Sequence, residues 1–278
     1  MTSDGGLNIH QQKVALLATY LKVVDLICEL VDARCPLASS SPMVAKLIHN
    51  KQHVIVLNKA GLADQQITKA WLAYYQERGK VAVAVDSKNG QGLRELWKLI
   101  TARTLAVNES LQSRGRRQRG LRVAVLGIPN TGKSTYLNRL IGQTSMRAGN
   151  KPGITRGSQW VHLSDAISVL DTPGIISIAK VSAVDKLKLA AVGSLDLQEY
   201  QPEAVSEWLL GFLQSQYPAV VERTFPLGPD QPCSFEEIAL AKGFLMGSGI
   251  ADTQRACIFL LEQFRSGKLG PISLEVPH

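Results

Sequence analysis

Eight residues, GIPNTGKS from Gly127 to Ser134, constrain the fold of this chain more than any other part of its sequence. They match the pattern GxxxxGK[ST], follow the apolar run Arg122–Leu126 and precede TYLNRLIG, which has the spacing of a helix. A strand, a glycine-rich loop and a helix in that order place backbone N–H groups around a phosphate group. The motif therefore predicts a phosphate-binding loop within an α/β protein.

Other short apolar runs predict the remaining strands of this sheet. Each is brief and rich in Val, Ile or Leu, and helix-like segments separate most of them. That alternation is typical of a mostly parallel sheet with helices on both faces. Trp160–Leu163 is predicted to add a strand through the turn at Ser164–Asp165. The main runs are Leu26–Val31, Val54–Leu57, Val81–Val85, Val123–Leu126 and Ile167–Leu170.

The sequence predicts two domains. Residues 1–178 hold the strands, whereas residues 179–278 are predicted to form a small all-helical domain, because segments such as AVSEWLLGFLQSQ have helical spacing. Within the first domain, residues at about 108–121 combine several arginines with glycines and little apolar content. We expect a flexible basic linker there, or a loop that becomes ordered on an anion.

Charge and composition narrow the class of protein. The formal net charge is +8, and residues 51–179 carry 19 basic and 7 acidic side chains. This imbalance indicates either a polyanionic partner such as RNA or an ordinary solvated surface. The sequence shows neither an apolar run of membrane-spanning length nor a secretory signal. Its four cysteines form no CxxC pair, which predicts reduced thiols and a cytoplasmic location.

The phosphate loop and a second motif predict binding of a nucleoside triphosphate and Mg²⁺. Lys133 would reach the terminal phosphates, and the Ser134 hydroxyl would bind Mg²⁺. Downstream, DTPG follows a predicted strand, so that Asp171 would hold Mg²⁺ through water and the Gly174 N–H would meet the γ-phosphate. Between the two motifs lies KPGITRG, whose Thr155 is the candidate switch threonine that closes on Mg²⁺.

Two further loops predict a base-binding site. VLNKAGLAD, which begins at Val56, is close to the Asn-Lys-x-Asp pattern of guanine-binding loops and places Asn58 and Lys59 at the end of a strand. DSKNGQGL follows another strand and offers Ser87 and Lys88 as the second base loop. Both loops precede the phosphate loop in the chain. Since a site needs a spatial arrangement and not a chain order, the sequence predicts a circularly permuted P-loop GTPase domain.

These motifs resemble the bacterial ribosome biogenesis GTPase A family along essentially the whole chain, including ELVDARCPLASSSPM and LAAVGSLDLQEY. The resemblance implies GTP hydrolysis to GDP during late assembly of the large ribosomal subunit, by a monomer whose helical tail contacts ribosomal RNA. Catalysis would involve Lys133, Thr155, Gly174 and, with a one-residue shift in the alignment, His10. The expected GTP-binding residues are Asn58, Lys59, Ala60, Gly61, Ser87, Lys88, Asn130, Thr131, Gly132, Lys133, Ser134, Thr135 and Gly174.

The chain departs from the family pattern in ways that leave alternatives open. Gly61 stands where the family has the Asp that accepts hydrogen bonds from guanine, and Asp64 is the nearest carboxylate in the loop. Ile175 follows DTPG and cannot orient water, so hydrolysis is expected to be slow without the ribosome, His10 or a K⁺ held at Asn130. The alternatives are an RNA-binding scaffold gated by nucleotide with little turnover, and a permuted NTPase with relaxed base specificity.

Overall fold

A computed structural model describes residues 15, 17–48, 51–148, 160–164, 166–171, 181–226, 233–247 and 249–278, without the side chains of residues 143–148 and 171. The chain forms two compact units. The first is Met1–Lys180 together with Glu275–His278, and the second is Val181–Leu274. The last four residues thus belong to the first unit, whereas the sequence analysis assigned the whole of 179–278 to the helical domain.

The first unit is built on a sheet with the strand order β3-β2-β1-β4-β6-β5. Neighbouring strands pair in parallel, except that β5 runs antiparallel to β6 at one edge. The prediction of a mostly parallel sheet is confirmed. The strands are β1 (Leu26–Asp32), β2 (Gln52–Asn58), β3 (Val81–Val85), β4 (Leu121–Leu126), β5 (Trp160–Ser164) and β6 (Ile167–Asp171).

Helices cover both faces of this sheet, which explains why the central strands are continuous apolar runs. All seven residues of β1 are buried. Leu26, Cys28 and Leu30 pack on one face with Leu96 of α3, while Val31 packs on the other face with Trp71 of α2. The helices of this unit are α1 (Pro42–Ile48), α2 (Gln65–Glu77), α3 (Leu93–Gln112) and α4 (Lys133–Ala148).

The direction of the strand order reverses between β1 and β4. The chain runs outward from β1 through β2 to β3, and it then returns to the other side of β1 to form β4. In open α/β sheets the crevice at such a point, outside the carboxyl ends of the strands, is where ligands bind. The two predicted base loops follow β2 and β3, and the phosphate loop follows β4, so all three lie at this edge.

The predicted basic linker begins later than expected. Helix α3 continues to Gln112, so residues 108–112 are helical and were wrongly assigned to the linker. The helix can continue because no glycine or proline interrupts residues 93–113. The exposed arginines Arg114, Arg116 and Arg117 follow its end. Arg119 instead forms a two-pronged ion pair with Asp25, with N–O distances of 2.7 and 2.8 Å.

The longer elements of the second unit are all α-helices, in the part of it that the structure describes. Its helices are α5 (Ala183–Ala191), α6 (Pro202–Gln216), α7 (Pro218–Thr224), α8 (Phe235–Lys242) and α9 (Thr253–Ser266). Helix α9 packs against α6 and α8. Arg265 fixes the end of α5, because its guanidinium donates to the carbonyl oxygens of Ala190 at 2.7 Å and Ala191 at 3.1 Å.

The last four residues of the chain belong to the first unit and bond within it. The Glu275 carboxylate accepts hydrogen bonds from the backbone N–H of Leu37 at 2.8 Å and of Ala38 at 3.1 Å. The indole N–H of Trp71 donates to the Glu275 carbonyl oxygen at 3.3 Å. Across the ranges given above, every helix is too short or too polar to span a membrane.

Candidate functional site

The phosphate loop between β4 and α4 is held close to the end of β1 and β2. A Cβ atom on Gly127 would lie 2.6 Å from the Leu30 carbonyl oxygen, and one on Gly132 would lie 2.5 Å from Asn58 Nδ2. Gly132 also has a φ of +92°, which disfavours any side chain. Asn130, with φ of 58°, is in the left-handed region as well. Both glycines of the motif are therefore required by space, and Gly132 is also required by its backbone conformation.

Asn58 joins all three loops of the site. Its Nδ2 donates to the Thr131 carbonyl oxygen at 2.7 Å, and its Oδ1 accepts from the Ser87 hydroxyl at 2.7 Å and from the Ser87 N–H at 3.3 Å. Its side chain is thus engaged at both ends, and the residue is only 1% exposed. In this structure Asn58 braces the phosphate loop against the two base loops.

Lys59 crosses the same junction. Its residue has a φ of 59° and stands just before the short 3-10 helix Ala60–Leu62. The ammonium donates to the Asn130 carbonyl oxygen at 2.7 Å and pairs with Asp32 Oδ2 at 3.0 Å. The aliphatic part of the side chain therefore extends along the phosphate loop, from the base-loop side of the site.

Asp32 and Arg34 form a buried ion pair beneath this junction. The Arg34 Nε and Nη2 atoms each lie 2.8 Å from an Asp32 carboxylate oxygen, and Arg34 is 1% exposed. Burial alone would raise the pKa of Asp32, but the charges of Arg34 and Lys59 outweigh it and hold this pKa well below its usual range. Asp32 is thus a permanent anion that fixes Lys59 over the phosphate loop.

Helix α4 supplies the start of the anion site. It begins at Lys133, and its first backbone N–H groups have no acceptor within the helix because no helical turn precedes them. The Lys133 ammonium donates to the carbonyl oxygens of Gly127 and Ile128, both at 2.7 Å, so it lies against the loop. Ser134 and Thr135 follow in the first turn and are exposed, whereas Thr131 is fully buried with its hydroxyl on the Ile128 carbonyl.

Arg139 ties the same helix to the second base loop. Its Nε donates to the Ser87 carbonyl oxygen at 3.3 Å, and its Nη2 donates to the Lys88 carbonyl oxygen. The structure therefore brings together the predicted residues of both base loops and of the phosphate loop. Arg139 was missed by the sequence analysis, since nothing in TYLNRLIG distinguishes it from an ordinary surface arginine.

The remaining predicted site residues are described in part or not at all. Asp171 ends β6 and is paired in register with Val125, two residues before the phosphate loop. Its backbone thus reaches the same edge of the sheet as Ser134. His10, Thr155 and Gly174 lie outside the described residues.

Asp64 has a structural role that the sequence analysis did not assign. Its Oδ1 accepts hydrogen bonds from the N–H groups of Gln66 at 2.8 Å and Ile67 at 3.1 Å, and it thereby caps the N-terminus of α2. Asp64, which the sequence analysis noted as the nearest carboxylate to Gly61 in this loop, is thus engaged in capping this helix.

Comparison with known proteins identifies the family of this site. A family model described as 50S ribosome-binding GTPase matches residues 122–208. Ribosome biogenesis GTPase A of Bacillus cereus is 34% identical over 260 residues, covering 92% of this chain and 88% of that protein. The protein of the same name from Thermotoga maritima is 31% identical over 257 residues, covering 92% of this chain and 88% of that one.

The chain belongs to the ribosome biogenesis GTPase A family. The crystal structure of GNP-bound YlqF from T. maritima has a TM-score of 0.67 to this chain at 28% identity, covering 95% of this chain and 97% of that one. Family membership makes the protein a GTPase that hydrolyses GTP and acts in ribosome biogenesis. The predicted circularly permuted GTPase fold with a helical C-terminal region is confirmed.

Asp32 and Arg34 were also missed by the sequence analysis. Both stand in ELVDARCPL, which contributed to the family resemblance without a role for either residue. The available signal was their position, because an Asp that directly ends a buried strand at the ligand-binding edge is costly unless a cation pairs with it.

Proposed function

We propose that GTP binds across the carboxyl ends of β4, β1, β2 and β3, and that its hydrolysis serves late assembly of the large ribosomal subunit. The observation that carries this proposal is the brace at Asn58, which bonds to Thr131 of the phosphate loop and Ser87 of the second base loop. A nucleotide spans the distance between its base and its phosphates, so a site for it needs loops held at a fixed separation.

The phosphates would lie in the loop between Asn130 and Thr135. The backbone N–H groups of Thr131, Gly132, Lys133 and Ser134 and the N-terminus of α4 favour negative charge there. Lys133 would exchange its contacts with Gly127 and Ile128 for the terminal phosphates, which it can reach from the same position. Lys59 would pack over the base, with Ala60, Gly61, Ser87 and Lys88 around its edge.

GTPases of this family generally use Mg²⁺, and the described residues fit it in part. Ser134 presents a hydroxyl in the first turn of α4, and Asp171 ends the strand paired with β4. With Thr155, which lies outside the described residues, these residue types would supply the hard oxygen donors that Mg²⁺ prefers. When bound, the ion would neutralise charge on the phosphates, and Asp171 would hold it through water.

Hydrolysis would be slow without a partner. Ile175 offers no polar group to orient water, and the proposed helpers are the ribosome, His10, and a K⁺ beside Asn130 that neutralises developing charge. The Gly174 N–H would meet the γ-phosphate. The test is GTP hydrolysis by the full chain with and without large ribosomal subunits, in K⁺ or Na⁺. Strong stimulation by subunits supports the proposal, whereas GTP-dependent subunit binding without stimulation supports the scaffold alternative.

Ribosomal RNA would be contacted by the helical unit and by the basic stretch after α3. Arg114, Arg116 and Arg117 are exposed, whereas Arg119 is held by Asp25. Neutralising the three exposed arginines to glutamine should weaken RNA binding and reduce the slope of log affinity against log salt, because each lost phosphate contact releases about one counterion fewer.

Salt-dependent binding of ribosomal RNA fragments measures this effect. The matched control is Arg119→Gln, which should instead lower the free energy of unfolding and leave the salt slope unchanged. An unchanged slope in the triple variant would place the RNA contacts elsewhere on the protein.

A further inference from the structure

The space beside Gly61 is filled by a carboxylate from another loop. A Cβ atom built on Gly61 would lie 2.4 Å from Asp86 Oδ2. Gly61 lies in the 3-10 helix Ala60–Leu62 and is not among the residues with positive φ, so its backbone would accept any side chain. What excludes a side chain at this position is the carboxylate of Asp86 and not backbone strain.

Asp86 is held firmly in this place. It directly follows β3, and it is 9% exposed. Its backbone N–H donates to the Gln91 carbonyl oxygen at 2.9 Å, and its Oδ1 accepts from the Lys88 N–H at 2.9 Å. Its Oδ2 accepts from Asn89 Nδ2 at 3.0 Å. A carboxylate has about four lone-pair sites, so these contacts leave acceptor capacity on Oδ2, the oxygen that faces Gly61.

The loop that carries Asp86 is also fixed relative to the phosphate loop. Ser87 bonds to Asn58, which in turn bonds to Thr131, and Arg139 of α4 bonds to the Ser87 carbonyl. A carboxylate at the end of β3 is thus held in a fixed position relative to the phosphate loop.

We propose that Asp86 is the residue that reads guanine in this protein, in place of the Asp that the family carries at the position of Gly61. This inference rests on the proposed GTP site. The Asp86 carboxylate would accept hydrogen bonds from the N1–H and the 2-amino group of guanine. Adenine presents an acceptor at N1, so the carboxylate would repel it. The absence of a carboxylate at Gly61 therefore moves base specificity to Asp86 and does not relax it.

The discriminating variant is Asp86→Asn. Its amide oxygen can still accept from the Lys88 N–H, which supports the turn, while the hydrogen bond from Asn89 Nδ2 is lost. Its amide nitrogen can donate to the C2 carbonyl of xanthine but opposes the 2-amino group of guanine. We expect GTP affinity to fall by about 10- to 100-fold, the effect of losing a charge-assisted hydrogen bond. We expect affinity for xanthosine triphosphate to rise, a gain that a misfolded variant would not show.

The matched control is Asp64→Asn, which removes the other carboxylate of the base loops. Asparagine is an equally good helix cap, so α2 should persist and base preference should not change. The measurement is competition of GTP, ITP, ATP and XTP for each full-length protein in Mg²⁺. A change of base preference in Asp64→Asn and none in Asp86→Asn would overturn the proposal.

A second variant returns the carboxylate to the family position. Gly61→Asp with Asp86→Ser should regain GTP preference over ATP to within a few fold of the unmodified protein. Gly61→Asp alone should not improve it, because two carboxylates would compete for one space. If the double variant stays as indiscriminate as Asp86→Asn, the carboxylate at Asp86 is not equivalent to the family's Asp.

The failure of this inference is distinguishable from failure of the proposed site. If the unmodified protein binds none of the four triphosphates, both the proposed GTP site and the proposed role of Asp86 are wrong. If the unmodified protein binds GTP, and Asp86→Asn binds GTP equally well and XTP no better, only the proposed role of Asp86 is wrong.

Discussion

The phosphate end and the base end of the proposed nucleotide site are built from different parts of the polypeptide. At the phosphate end the backbone of residues 127–132 and the start of α4 form the cradle, and glycines are needed where other loops approach closely. At the base end, the proposed specificity depends on one side chain, the carboxylate of Asp86, which occupies the space beside Gly61. A cradle of backbone needs its own residue pattern, whereas a single carboxylate can be supplied by any loop that reaches the same space.

Replacing the anion between the two ends should have the largest effect. Asp32→Asn would leave Arg34 buried without its carboxylate and would release Lys59 from the junction, at a cost of about 3–5 kcal/mol in the free energy of unfolding. Urea unfolding measures this cost. The partly exposed pair Asp185–Lys188 gives the control, since Asp185→Asn should cost less than about 1 kcal/mol.

Asp32 also makes the stability of the unmodified protein depend on pH in the acidic range. Because the folded-state pKa of Asp32 is depressed, its stabilisation is complete above the unfolded pKa of about 3.9 and is lost progressively as pH falls below that value. Asp32→Asn should therefore lose stability less steeply in that range than the unmodified protein. Equal slopes for both proteins would mean that other carboxylates account for acid unfolding.

Removing the lysine of the phosphate loop should weaken phosphate binding and leave base preference unchanged. Lys133→Ala should weaken GTP binding by about 2–5 kcal/mol, because the phosphates would lose a charged partner in the loop. The order of preference among bases should survive in whatever binding remains, since Asp86 and Ser87 are untouched. Lys98→Ala on α3, an exposed lysine, is the control. Normal GTP affinity in Lys133→Ala would exclude this loop as the phosphate site.

A smaller change tests whether close packing requires glycine at the phosphate end. Gly132→Ala should cost about 1–3 kcal/mol of stability, because of its positive φ and its approach to Asn58. Gly142→Ala on helix α4 meets no atom within 4 Å and should stabilise by about 0.5–1 kcal/mol. Thermal unfolding of the two alanine variants compares the sites directly, and similar melting temperatures would show that the loop tolerates a side chain.

The sequence revealed the features that depend on local pattern. The strands were predicted closely because buried parallel strands are short apolar runs, and the phosphate loop because its glycines are spaced by its own geometry. Asp86 escaped notice because its significance lies in its distance to Gly61, which is 25 residues earlier in the chain. The end of α3 was misplaced because polar residues after Ala106 obscured a helix that nothing interrupts before Gly115.

The contact between Glu275 and the loop at Leu37 bears on the order of folding. Its two residues are separated by 238 positions in the chain. Contacts between distant residues form only after the loop-closure entropy between them has been overcome, and that entropy falls once the intervening segments are compact. We therefore expect Glu275 to reach Leu37 and Ala38 after both units have folded. The loop that carries Asp32 and Arg34 would then acquire its last backbone hydrogen bonds at the end of folding.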